Sequence, residues 1–225
     1  MFKRTLTQAD FLSIAANLLP VFGVWFFGWN PREVFIVYCT ETIIIGLFHL
    51  VKMGIATGYR KTDIWYNGAA RTRVSGLMFM LFFLVHYGMF VAIQMGLFFG
   101  VSAMADQYNI GFFNFFFKWP QLIGENGWIM IGAFVVSYGY KTISEFVLTK
   151  QYKVVPLSLL MFQPYARIFV QQLTVILGSV FLVFGAGKIF ILVFALVKIA
   201  FDVYVNYEGI LNKAVADFKL KSGKQ

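Results

Sequence analysis

The side chains that could do chemistry lie almost entirely inside apolar runs. Glu41 stands in CTETIIIGLFH (39–49), which also holds His49. His86 lies in VHYGMF (85–90), Arg167, Gln171 and Gln172 in PYARIFVQQ (164–172), and Lys198 and Asp202 in LVKIAFDVY (196–204). An acid, an imidazole and two kinds of base in apolar surroundings are the groups needed to hold a proton, an ion or a small charged solute. In a transporter Glu41 and His86 are expected to be the two proton sites. Arg167 and Lys198 neutralise an anionic group or the acid itself. Asn17, Pro20, Tyr38, Gln171 and Gln172 supply polar or kink-forming support. Pro20 has no N–H and crowds the preceding turn, so a carbonyl near Ala16 is freed and needs a donor.

Other chemistries lack their residues. No HExxH, Gly-x-Ser-x-Gly or cysteine nucleophile with partners occurs, and GAGK (185–188) is not a phosphate-binding loop. Glu41 and His49 are two helical turns apart, about 12 Å along an axis, which speaks against a shared zinc ion. No metal or cofactor is expected. The single cysteine, Cys39, permits no internal disulfide and reads as a small packing residue.

These groups must be positioned by long apolar elements. The chain of 225 residues is 60% hydrophobic and 20% aromatic but only 13% charged, about half the charge of an ordinary soluble domain. The pattern predicts an all-α, polytopic transmembrane bundle of about six spans, near 10–29, 33–56, 74–104, 124–148, 157–184 and 188–207. Residues 1–207 form one transmembrane domain. Residues 208–225 form an amphipathic tail, with Leu211, Val215 and Phe218 on one helical face, lying in the headgroups.

The net charge of +9 is explained by loops on one side rather than by nucleic acid. Twelve Lys and Arg residues fall on that side, including Arg60, Lys61, Arg71, Arg73, Lys150 and Lys153, against Arg32, Lys118 and Lys188 on the other. Both termini are therefore expected in the cytoplasm. The segment DIWYNGAARTR (63–73) is expected to rest on the membrane surface.

A charge at a helix centre costs about 2.5–3.5 kcal/mol on insertion scales, so such residues face the bundle interior and find partners. Lys141 and Glu145, spaced i,i+4, are expected to pair. Lys198 and Asp202, one turn apart, can satisfy each other, which leaves Glu41 and His86 the less explained pair.

The runs NLLPVFGVWFFGW (17–29), VYCTETIIIGLFHLVKM (37–53), VHYGMF, PYARIFVQQ and LVKIAFDVY together resemble the prokaryotic membrane family catalogued as domain of unknown function 6498. The resemblance covers nearly the whole chain. It marks Asn17, Pro20, Gly28, Trp29, Tyr38, Glu41, Gly46, His86, Tyr87, Gly88, Phe90, Pro164, Arg167, Lys198 and Asp202. Around the acid the family reads Tyr-Trp-x-Glu-Asn, where this chain has Cys39 and Thr42. The resemblance implies a fold and a set of positions, and no activity.

Three functional classes fit these residues. A small transporter or channel-like protein uses the buried polar set on a small molecule or ion. A membrane scaffold or assembly subunit, alone, as a homo-oligomer or with a membrane partner, uses it only to hold helices in register. An intramembrane enzyme acting on a lipid-like substrate is the third. Membrane lipids surround the chain in all three.

Overall fold

The computed structural model describes residues 6–67, 70–101 and 118–204. Six helices dominate it: α1 (Gln8–Phe26), α2 (Pro31–Arg60), α3 (Gly76–Val101), α4 (Glu125–Lys141), α5 (Leu157–Val183) and α6 (Gly187–Tyr204). They fall within a few residues of the six apolar runs. Three of them, α1, α2 and α3, are long and apolar enough to cross a membrane among the described residues. The tail 208–225 lies outside the described residues.

The expectation of an all-α chain is corrected at one place. Strands β1 (Thr62–Asn67) and β2 (Ala70–Ser75) form an antiparallel hairpin between α2 and α3, with Thr62 opposite Ser75 and Asn67 opposite Ala70. Six residues cannot bury a helical stripe here, whereas Ile64, Trp65, Tyr66, Thr72 and Val74 suit strands. Trp65 packs on Phe79 and Phe82 of α3, with ring centroids 5.5 and 6.0 Å away.

Local chemistry sets the helix ends. Thr7 and Asp10 cap α1 reciprocally, the Asp10 N–H donating to Thr7 Oγ1 at 3.2 Å and the Thr7 N–H to Asp10 Oδ2 at 2.9 Å. Gly28, at φ +68°, ends the helix, and the Trp29 N–H returns to the Gly23 carbonyl at 3.0 Å. Asn30 accepts from the Arg32 N–H at 3.0 Å, with Pro31 in the first helical position of α2. Asp63 accepts from the Leu157 N–H at 2.7 Å, so the hairpin caps α5. Arg60 steadies that junction by pairing with Asp63 at 3.2 Å and donating to the Val155 carbonyl. Beyond α4 the chain widens into a π-helical turn, Thr142–Val147.

Helix α2 is the axis of the bundle. It packs on α3, α4, α5 and α6, while α1 packs on α4 and α6, α3 on α5, and α5 on α6. Leu47 and Val51 of α2 reach the surface. Phe35 ties three helices together, lying 5.0 Å from Phe98 of α3 and 5.3 Å from Phe190 of α6. The Tyr87 ring packs directly against Gly46, and its hydroxyl donates to the Thr42 carbonyl at 2.6 Å. The hairpin, the C-terminal ends of α2 and α4, and the N-terminal ends of α1 and α5 gather at one end of the bundle, as Arg60–Asp63–Leu157 and the Thr7 to Glu145 bond at 3.3 Å require.

Two glycines of α2 should respond oppositely to alanine. A Cβ at Gly46 would overlap the Tyr87 ring, whereas nothing lies within 4 Å of one at Gly58. Gly46→Ala is expected to lower the unfolding temperature in detergent. Gly58→Ala should leave it unchanged or raise it, by up to about 0.5–1 kcal/mol in helix propensity.

Candidate functional site

Glu41 lies on α2 with its side chain wholly buried, facing α4 and α6. Both of its carboxylate oxygens are engaged. Lys198 of α6, itself buried, forms an ion pair with Oε2, and the Tyr138 hydroxyl of α4 donates to Oε1 at 2.7 Å. The ammonium also stands over two aromatic faces, 4.8 Å from the Phe134 centroid and 5.2 Å from that of Tyr38. Each ring adds attraction for a desolvated cation. Three helices thus converge on one neutral pair walled by rings.

The second layer runs back to α1. The Tyr38 hydroxyl donates to the Asn17 carbonyl at 3.2 Å, and the Asn17 amide donates to the Ser13 carbonyl at 2.8 Å. Helix α1 continues through Pro20. The carbonyl that Tyr38 meets is the neighbour of the one deprived of its donor by Pro20. Tyr38, one turn before Glu41 on α2, therefore links the Pro20 region to the charge pair.

The sequence-derived candidates separate in space. Lys198 meets Glu41; its pairing with Asp202, expected from their spacing, falls on a side chain outside the described residues. His86 is not brought to this site: it stands on α3, half-buried, with Nδ1 2.7 Å from the Tyr165 hydroxyl of α5. Arg167, Gln171 and Gln172 lie on α5 and Asp202 on α6, and their side chains lie outside the described residues. Lys141 and Glu145 do pair, at 3.8 Å, at the C-terminal end of α4. Lys52 stands 5.8 Å from the Phe146 ring centroid. No cluster of three metal-ligating side chains occurs among the described residues.

Tyr138 and Phe134 were not among the candidates. Both read as ordinary members of an apolar run, and only the approach of α4 to α2 gives them a role. Gln94 is a different case. It is buried on α3, and among the described residues neither atom of its amide has a hydrogen-bond partner. The hydroxyl of Thr42 and Oδ1 of Asn17 also lack partners among the described residues.

A family model matches residues 2–218. The chain belongs to DUF6498, a family of unknown function. No curated protein and no solved structure matches it. Several positions that the resemblance to DUF6498 marked meet one another in this fold. Glu41 meets Lys198, Gly46 meets Tyr87, Tyr38 meets Asn17, and Phe90 lies 5.2 Å from His86.

The unpaired amide of Gln94 gives a direct test. A buried polar group without a partner costs about 1–3 kcal/mol, so Gln94→Leu should leave the unfolding midpoint unchanged or raise it. A fall of several degrees would mean that the amide holds a bound polar molecule.

Proposed function

We propose that this DUF6498 chain is a polytopic membrane protein of the bacterial or archaeal inner membrane, and that it couples the movement of a small anion to a proton at the Glu41–Lys198 pair. All six helices span the membrane in this reading. At 1.5 Å per residue even the 18 residues of α6 reach about 27 Å, close to the ~30 Å hydrocarbon core. The outer surface supports it: Phe26, Val85 and Phe184 are 74%, 73% and 81% exposed, on a scale that water does not tolerate. The basic residues Arg60, Lys61, Arg71, Arg73, Lys150 and Lys153 gather at the hairpin end, which faces the cytoplasm by the positive-inside rule. Both termini lie on that side, residues 1–207 form the transmembrane domain, and 208–225 form an interfacial tail.

The buried ion pair carries the transport reading. Charges in the membrane interior mark ion and substrate pathways more often than they merely fill space. In the resting state Glu41 and Lys198 cancel. An anionic substrate can displace the carboxylate from the ammonium if Glu41 takes a proton at the same moment. The site then holds a neutral acid, a lysine cation and the substrate anion. Its net charge is zero before and after, so the exchange avoids leaving an unpaired charge in low dielectric. Tyr138 can donate to the carboxylate in the resting state and accept from the protonated acid afterwards.

A second reading has its own support. The pair is enclosed by Tyr38, Phe134 and Tyr138, as in a scaffold whose charges only fix helix positions. The two readings differ in one variant. Glu41→Gln with Lys198→Met removes both charges and leaves neither unpaired. In proteoliposomes, we expect wild type to acidify the lumen when supplied with one of a panel of small carboxylates across a pH gradient, and the double variant to be folded but inactive. Unchanged flux in the double variant would remove the pair from transport. Absence of flux in both, with co-purification of a partner, favours the scaffold.

A further inference from the structure

The His86–Tyr165 pair takes no part in the charge pair, and its surroundings are unlike those of a core hydrogen bond. His86 is half-buried on α3 and Tyr165 half-buried on α5, where these two helices meet at the outside of the bundle. Phe82 stacks on the imidazole at 5.2 Å and 17°, and Phe90 meets it edge-on at 5.2 Å and 67°. Phe162 lies 5.9 Å from the Tyr165 ring. Val85, Met89 and Phe162 carry the same surface outward and are exposed.

Counting protons fixes what this pair still needs. A neutral imidazole and a phenol have two hydrogen-bond donors between them, one N–H and one O–H. Their mutual bond at 2.7 Å uses one. If Tyr165 donates to Nδ1, the Nε2–H remains. If Nδ1–H donates to Tyr165, the phenol O–H remains. A protonated imidazole leaves more. Among the described residues neither side chain has another hydrogen-bond partner. In each of these states the pair therefore offers a donor, at an apolar surface, to an acceptor that the described residues do not provide.

Depth narrows the acceptor. His86 is ten residues into α3 from Gly76, about 15 Å along the axis and so halfway through a ~30 Å hydrocarbon core. Phospholipid ester carbonyls lie at the edge of that core. An acceptor at mid-depth must belong to a molecule that sits wholly inside it, and the flanking rings suit a flat head. We propose that His86 and Tyr165 form a lateral site, between α3 and α5, for the ring carbonyl of a lipid-soluble quinone. The site rests on the membrane reading above, but not on transport at Glu41.

Trp65 provides the readout, because its ring lies 6.0 Å from Phe82, which stacks on His86. The full chain in nanodiscs is titrated with decylubiquinone while tryptophan fluorescence is followed. We expect saturable quenching that largely disappears in Trp65→Phe. His86→Leu and Tyr165→Phe should each weaken binding roughly ten-fold, as for one lost hydrogen bond. If His86→Leu fails to fold, Tyr165→Phe carries the test. Quenching that does not saturate in wild type, equal affinity in both variants, or equal competition by added phosphatidylcholine would overturn the site. A chain that stays monodisperse in water without detergent would defeat the membrane reading itself, whereas a chain that enters nanodiscs but binds no quinone defeats the site alone.

Discussion

An acid and a lysine buried in an apolar bundle must find each other, and the arrangement of helices around α2 follows from that demand. Either charge alone would have to be neutralised or would destabilise the fold by several kcal/mol. Paired, they draw α6 against one face of α2, and the Tyr138 bond to the free carboxylate oxygen fixes α4 beside it. Tyr38 and Phe134 then close over the ammonium, and Tyr38 reaches on to the α1 backbone beside Pro20. Four elements are thus located by one interaction.

The opposite side of α2 works differently. There α3 is held by shape and backbone hydrogen bonding, through Tyr87 against Gly46 and Phe35 against Phe98. The hairpin and Asp63 join the end of α2 to the start of α5. His86 and Tyr165 sit where α3 and α5 meet, apart from the charge pair. Polar groups are therefore divided between an enclosed centre and an accessible wall, which are different environments with different chemical uses.

The positions of the helices were legible in the sequence because runs of apolar residues bounded by Asn30–Pro31, Gly28 and Gly185 leave few other choices. The hairpin was not. Its strands are six residues each and lie in the most polar stretch between helices, where a short alternation is easily taken for a surface loop. The faces of the helices were hidden for a physical reason: α3 is apolar all round, so no stripe announces which side is inside. The i,i+4 pair Lys141–Glu145 could be read from spacing alone. The meeting of Lys198 with Glu41 could not, because it depends on how α6 meets α2 across 157 positions of sequence. Tyr138 and Phe134 escaped notice for the same reason.

The most direct test of the account is a double-mutant cycle on unfolding free energy in detergent, with Glu41→Gln, Lys198→Met and the two together. Each single change is expected to destabilise the chain by about 3–5 kcal/mol, because it leaves its partner buried and unpaired. The double change should recover most of that loss, with a coupling of at least about 2 kcal/mol. Additive effects, with the double variant as unstable as the sum of the singles, would contradict the claim that this pair organises the bundle.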